Sequence, residues 1–398
     1  MTGTLPVSLI VVSRNRPKEL ALCLAAIRKL DHPNFELIVV ADPASAAICP
    51  QGAKVVPIDI ANISAARNLG LAAAAGEIVA FIDDDAVPEP RWLARLTAPF
   101  ADPGIAAAGG FVVGRNGISF QWRASCADSH GRSTEIVVDP LAVTVLAGAA
   151  GRAIRTEGTN CAFRRSVLCA LGGFDPAFRF YLDETDVNMR LAAQGARTAI
   201  VPRARVHHAF AASDRRKADR TPTDLTEIGA STAVFLRKHA PPAEHGDALD
   251  RLRKDQDARL DRLVRRGALS SGGAADLRAT LERGIAEGQL REMASLAPIP
   301  AAKTAFLAFA GGDGAICLAG GWIWQATRLR AEASRQSDRT TCVLMLFSPT
   351  ARFHRLRFTG THWEQIGGLF GRSERSGPAF RFWRRATRLN QEARRLDF

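Results

Sequence analysis

Apolar and polar positions follow two rhythms along residues 5–120. LPVSLIVVS (5–13) is a short apolar run rich in β-branched residues, which predicts a buried strand. RPKELALCLAAIRKL (16–30) spaces Leu20, Leu24 and Ile27 along one helical face, with Asn15 as N-cap and Pro17 in the first turn. FELIVVAD (35–42) and KVVPID (54–59) read as strands, and ISAARNLGLAAAAG (63–76) as a helix closed by Gly76. EIVAFIDDD (77–85) is a strand with acids at its carboxyl end, followed by a helix in EPRWLARLTAPF (89–100). This alternation predicts a doubly wound, mostly parallel α/β sheet, in which ligands sit off the carboxyl ends of the strands.

Beyond residue 105 the pattern loosens. GGFVVG (109–114) and TAIVP (198–202) read as strands, and VLCALGGF (167–174) and DVNMRLAAQG (186–195) as short helices ending in glycine. Residues 213–298 are charged and helical, with a sparse stripe of Leu249, Leu252, Leu260 and Leu263, broken by SSGGAAD (270–276). APIPAAK (297–303) marks a second boundary. The expected organisation is therefore an α/β domain over 1–212, a helical connector over 213–298, and a small α/β or mostly helical domain over 299–398. In that last part WIWQATRLRAEASRQ (322–336) reads as a helix and TCVLMLFSP (341–349) as a strand. The tail places Phe382, Ala386, Leu389, Ala393 and Leu396 at helical spacing, opposite Arg381, Arg384, Arg385, Arg388, Arg394 and Arg395. Such a helix either packs on the protein or lies on an anionic membrane surface.

Composition narrows the class. The chain is 47% hydrophobic and 23% charged, an ordinary globular balance. The start lacks the basic region of a signal peptide, and no apolar run reaches the roughly 20 residues that span a bilayer. Seven cysteines without a C-x-x-C pair predict reduced thiols. Together these point to a cytoplasmic protein, with peripheral contact at the inner face of the membrane as the variant the basic tail suggests. The net charge of +13 is uneven: residues 1–210 hold 21 Lys and Arg against 19 acids, and residues 211–398 hold 32 against 21. The basic half favours an anionic partner. Nucleic acid is the weaker candidate, because no recognition motif accompanies the interleaved tryptophans and arginines.

The chemistry centres on Asp83, Asp84 and Asp85, three adjacent acids that no neighbouring Lys or Arg offsets. Residues two apart in an extended segment project to one side, so Asp83 and Asp85 can share a ligand. Their oxygens suit Mg²⁺ or Mn²⁺ held for a diphosphate. A second acidic cluster, Asp183, Glu184 and Asp186, supplies what a general base would need. Gly158, Thr159 and Asn160 precede a basic pair, and His207 and His208 end a strand as candidate metal ligands.

In this order VSLIVVSRNRP, ELIVVAD, ISAARNLG, FIDDDAVPEP, GTNCAFRRS, GGFDPAF, DETDVNMRLAAQG and VHH resemble the family 2 glycosyltransferases, whose nucleotide-diphospho-sugar transferase fold is the GT-A fold. The resemblance covers about residues 5–210. It implies that Asp83 and Asp85 bind the metal, with Asp84 beside the ribose or the metal. It implies that Ser13, Arg14 and Asn15 line the nucleotide, that Asp42 meets the base, and that Arg67 and Asn68 hold base or ribose. Gly158, Thr159 and Asn160 would lie near donor sugar and acceptor. The general base would fall on Glu184 by its offset from Arg190-Leu191, with Asp183 the alternative and Asp186 in support.

The implied activity is inverting transfer of one sugar from a nucleotide-diphosphate sugar, a UDP-sugar first, to a glycan, lipid-linked or protein hydroxyl in cell-surface polysaccharide or glycolipid synthesis. No Q-x-x-R-W segment follows the second acidic cluster, and in the family that motif marks processive polymer synthases. Two other readings stand beside this one: an inactive nucleotide-binding module on the same scaffold, and a metal-dependent phosphoryl-transfer enzyme. The latter would need a D-x-D-x-T-type segment, where Ala86-Val87 stand instead.

Overall fold

The computed structural model of the chain describes residues 4–208, 215–217, 219–293, 295–335 and 339–396. The β-branched runs become strands, and the helices lie over them. The chain begins β1 (Val7–Ser13), α1 (Pro17–Ile27), β2 (Phe35–Ala41), α2 (Pro43–Ala46), β3 (Lys54–Pro57), α3 (Ile63–Ala73) and β4 (Ile78–Asp83). These four strands stand side by side as β4-β1-β2-β3, all parallel. Alternation along β1 sends Val7, Leu9 and Val11 to the core under α1, while Ile10 joins the core under α3. Each such side chain contributes about 1.5–3 kcal/mol by leaving water.

Next come β5 (Ala86–Pro88), α4 (Trp92–Thr97), β6 (Ile105–Val113), β7 (Phe120–Trp122), β8 (Ser125–Asp128) and β9 (Ser133–Glu135). They are followed by β10 (Thr144–Ala147), β11 (Arg152–Arg155), β12 (Cys161–Arg164), α5 (Arg165–Ala170), α6 (Asp183–Ala193) and the long β13 (Arg197–His208). β12 inserts antiparallel between β4 and β6, and β13 runs parallel to β6. The resulting sheet has ten strands, and β8, β9 and β11 form a separate three-stranded sheet.

Two local expectations are revised. Asn15 is not the cap of α1. Its φ is +58°, its N–H donates to Asp42 Oδ1 at 2.9 Å, and Arg16 stands at the N-cap without a side-chain cap. Gly76 does not close α3, which ends at Ala73. A Cβ there would lie 2.7 Å from the Ser8 nitrogen, so glycine is needed for close approach of backbones.

The expected boundary at 212/213 lies outside the described residues. The connector holds three helices, α7 (Thr226–His239), α8 (His245–Arg265) and α9 (Ser271–Leu290). SSGGAAD does not break the helix but starts one: the Ser270 hydroxyl accepts the Gly273 N–H at 3.0 Å and caps α9. α7 and α9 meet through glycines. A Cβ on Gly284 would lie 2.0 Å from the Thr226 carbonyl oxygen, and one on Gly288 2.3 Å from that of Ala230.

Residues 297–312 run back across the N-terminal half as a strap. Ile299 donates to the Cys169 carbonyl, Leu307 to Glu36 Oε2 at 3.1 Å, and Phe309 to the Phe35 carbonyl at 2.7 Å. The Phe309 ring enters the core beside Phe35, with centroids 5.6 Å apart.

The chain ends with β14 (Ile316–Trp322), α10 (Ala326–Ser334), β15 (Thr341–Ser348), β16 (Arg355–Phe358), β17 (Trp363–Gly368) and α11 (Arg385–Leu396). The sheet order is β14-β15-β17-β16. This unit packs on the N-terminal half: Ala26 and Val87 share one apolar cluster with Val343, Met345 and Trp363. α11 presses Leu389, Ala393 and Leu396 onto that cluster. Arg388, expected on the outer face, is buried instead and pairs with Glu392 at 3.0 Å. The tail helix is thus a packed one. All seven cysteines are free, five of them buried. No helix among the described residues is long and apolar enough to cross a membrane.

Candidate functional site

β1 and β4 run parallel with Val12 opposite Asp83, so both strands end at one rim of the sheet. A cavity of about 660 Å³ opens there. Its floor is the aspartate turn, and its far wall is the first turn of α6 with Asp183 and Glu184. That volume falls within the ~300–1,000 Å³ usual for small-molecule sites.

The three aspartates differ in role. Asp83 sits half-exposed at the end of β4, and Arg67 Nη2 approaches it at 3.3 Å. Asp84 turns inward, accepts the Ser13 hydroxyl at 2.8 Å and pairs with Arg16 at 2.7 Å. Burial pushes its carboxyl up to about 7 against the pull of Arg16. Asp85 pairs with Arg16 at 2.7 Å and with His208 Nε2 at 3.0 Å. Burial opposes ionisation there too, but His208 and Arg16 hold the carboxyl well below the usual range. The charges that looked unopposed in sequence are therefore met by an arginine 68 positions away from Asp84.

Asp83, Asp85 and His208 bring one ligand atom each to within 4.8 Å of one another. Two carboxylates and an imidazole form a donor set that fits a divalent ion of the Mn²⁺ type. Thr159 also lines the cavity, and its buried hydroxyl has no hydrogen-bond partner among the described residues. His207, expected as an alternative ligand, faces the other way. Its Nε2 meets Glu89 at 3.2 Å and its ring packs on Trp363 at 4.7 Å.

The acid pair is bound from two sides. Arg67 Nη1 donates to Asp183, so one guanidinium ties β4 to α6. Arg155 Nη2 lies 3.4 Å from Glu184 and 3.4 Å from Glu157. Burial and the Glu184 charge push Asp183 up, whereas Glu184, although buried, is pulled down by Arg155 and Arg67. Burial also raises Glu157 to about 7. Tyr181 and Leu182, just before α6, both have positive φ, at 73° and 64°. Such backbone costs about 1–3 kcal/mol and is held here at the cavity wall.

Ser13, Arg14, Asn15, Arg67, Gly158 and Thr159 line the cavity. Besides His207, four of the residues named from sequence do not. Asp42 spends its carboxylate on the N–H groups of Asn15, Ala44 and Ser45, capping α2. Asn68 makes both amide bonds to the backbone of Phe174. Asn160 donates to the Phe111 and Ala204 carbonyls and accepts the Trp92 indole N–H. Asp186 is buried under Arg190, Lys238 and His239. Each is a polar side chain whose bonds are used in holding the scaffold. Arg16, Arg155, Glu157 and Arg216 line the cavity without having been anticipated. Only Arg16 carried a signal, its place directly after the β1 tip.

The profile of the glycosyltransferase-like family 2 matches residues 5–221. An O-antigen biosynthesis protein, RfbC of Myxococcus xanthus, is 28% identical over 252 residues, covering 55% of this chain and 18% of that protein. A pre-mycofactocin glycosyltransferase of Mycobacterium tuberculosis is 30% identical over 149 residues, covering 36% of this chain and 29% of that protein. The chain thus spans under a third of the length of either relative. Among solved structures, the mannosyltransferase PcManGT from Pyrobaculum calidifontis, in complex with GDP-Man and Mn²⁺, aligns over 72% of this chain and 88% of its own, at 19% identity and a TM-score of 0.41. The strand–helix order, the acid-lined rim and the match over residues 5–221 converge: the chain belongs to the glycosyltransferase-like family 2.

Proposed function

We propose that the protein transfers one sugar from a nucleotide-diphosphate sugar to a hydroxyl acceptor, with inversion, in the assembly of a surface polysaccharide or other glycoconjugate. The observation that carries this is the convergence, in one cavity, of the Asp83–Asp85–His208 donor set and the Asp183–Glu184 pair. Asp83, Asp85 and His208 would hold a divalent ion, Mn²⁺ ahead of Mg²⁺ because an imidazole joins the oxygens. Such an ion neutralises a diphosphate and stabilises it as a leaving group.

The protein's own groups do the rest. Glu184 is the proposed base: a carboxylate oxygen takes the acceptor proton as the hydroxyl oxygen attacks the anomeric carbon from the side opposite the diphosphate. Its pairing with Arg155, at 3.4 Å, is looser than that of Asp183 with Arg67 and keeps it ionised. Asp183 acts as a positioning group, since Arg67 ties it to Asp83. The Ser13-Arg14-Asn15 rim is the proposed nucleotide contact, and the unpartnered Thr159 hydroxyl faces a donor hydroxyl or phosphate oxygen.

Incubation with UDP-, GDP- and dTDP-sugars, with Mn²⁺ and then with EDTA, tests this reading. Metal-dependent release of nucleoside diphosphate from one donor is expected. Nucleotide binding that needs no metal and gives no turnover would replace the reading with a binding module.

A further inference from the structure

The C-terminal unit carries large aromatic side chains that no element covers. Trp324 is 65% exposed, Phe380 59% and Phe382 77%. They are grouped rather than scattered. Phe370 meets Phe380 and Phe382, each at 5.5 Å, and Trp324 stacks on Trp322 at 5.0 Å. Arg385, three residues beyond Phe382 in the chain, lies over the Trp322 ring at 5.7 Å. β14 is an edge strand, and its period of two puts exposed Ile316 and Leu318 on the face that bears Trp322.

Positive charge interleaves with this apolar surface. Residues 371–398 hold eight arginines against three acids. Arg372, Arg381, Arg388 and Arg395 line a recess of about 100 Å³. Glu392 in that recess is already saturated by Ser373, Gln365, Arg388 and Arg395, and Glu374 also lines it. The indole N–H of Trp383, also lining it, is buried without a partner among the described residues.

We propose that this face docks on an anionic lipid surface. Exposed Trp and Phe enter the boundary between headgroups and acyl chains, where amphipathic rings are favoured, and the arginines meet lipid phosphates. The recess has the size for one phosphate, and Arg372, Arg381 and the Trp383 N–H are its donors not paired with Glu392. Charge complementarity selects an anionic surface over a neutral one. The helix α11 is not the inserting element, since its apolar stripe is packed inward. The inserting groups are the aromatics that precede it and those beyond β14.

The test is co-sedimentation of the full chain with vesicles of phosphatidylcholine alone and of phosphatidylcholine with one-third phosphatidylglycerol. Binding is expected on the anionic vesicles only, weakening with salt. Trp324→Ser with Phe382→Ser should weaken it at least about tenfold. Arg384→Glu with Arg385→Glu should weaken it about fivefold or more per residue. All four positions are on the surface, so the melting midpoint and donor turnover in solution should not change. Absence of binding to anionic vesicles, equal binding to neutral ones, or undiminished binding by both variants overturns the proposal, as does capture of single-stranded DNA with none of vesicles. The melting and sedimentation readouts do not depend on donor chemistry, so failure of the transferase reading would leave this result intact.

Discussion

Replacing Arg16 with methionine removes the cation that Asp84 and Asp85 share, while Arg67 at Asp83 and Arg216 at Asp85 remain. The two terminal nitrogens of Arg16 sit 2.7 Å from Asp84 and 2.7 Å from Asp85, whose side chains are 4% and 2% exposed. Removing one partner of a buried pair costs about 3–5 kcal/mol. Ser13 still donates to Asp84 and His208 still meets Asp85, so the lower end, about 3 kcal/mol, is expected. At about 2–4 °C per kcal/mol for a domain of ~200 residues, the melting midpoint without metal should fall by about 6–12 °C. A divalent ion works in the opposite sense. The guanidinium repels a cation bound at Asp85, and two unit charges ~4 Å apart interact by about 4 kcal/mol at an effective dielectric of 20. The variant should therefore bind Mn²⁺ more tightly and recover more of its midpoint per unit of Mn²⁺. Thermal denaturation in EDTA and across a Mn²⁺ titration measures both halves. A metal-free midpoint within about 2 °C of the parent, or a smaller Mn²⁺ response than the parent's, would refute the view that Arg16 substitutes for the ion's charge.

Glu184→Gln should lower kcat about 10²–10⁴-fold with donor affinity unchanged, measured by single-turnover transfer and donor titration. Asp183→Asn frees Arg67 and should weaken Mn²⁺-dependent donor binding as well; a pure kcat loss there would move the base to Asp183. Gly284→Ala drives a methyl into the Thr226 carbonyl and should destabilise by about 1–3 kcal/mol in urea unfolding, with no effect on donor affinity. Asp186 ionises near 2 although buried, because His239, Arg190 and Lys238 outweigh the burial. A depressed carboxyl stabilises fully above its unfolded value near 4 and loses that contribution as pH falls through about 2. Asp186→Asn should therefore flatten the urea midpoint between about pH 5 and 2.5, by about 2 kcal/mol.

The parallel core was legible because buried strands need β-branched runs, and β1, β2 and β4 have them. The acid cluster at the end of β4 was legible as three adjacent like charges. Asp42, Asn68 and Asn160 lie outside the cavity for a reason that sequence does not show. Short polar side chains beside loops satisfy backbone groups as readily as ligands, and only the fold decides which. The pairing of Arg16 with Asp84 and of Arg155 with Glu184 was hidden because an ion pair between residues far apart in the chain leaves no local pattern. The glycines joining α7 to α9 were equally silent, since small residues signal contact only when the facing helix is known.

The strap has a consequence for how the molecule is made. Phe35 belongs to the second strand synthesised, yet its packing partner Phe309 comes 274 positions later. At about 5–20 residues per second, the ribosome takes roughly 14–55 s to deliver it. Until then the notch beside Phe35 that Phe309 fills stays open. Any shortened version meant to isolate the N-terminal half must keep Phe309, or it will carry that notch permanently.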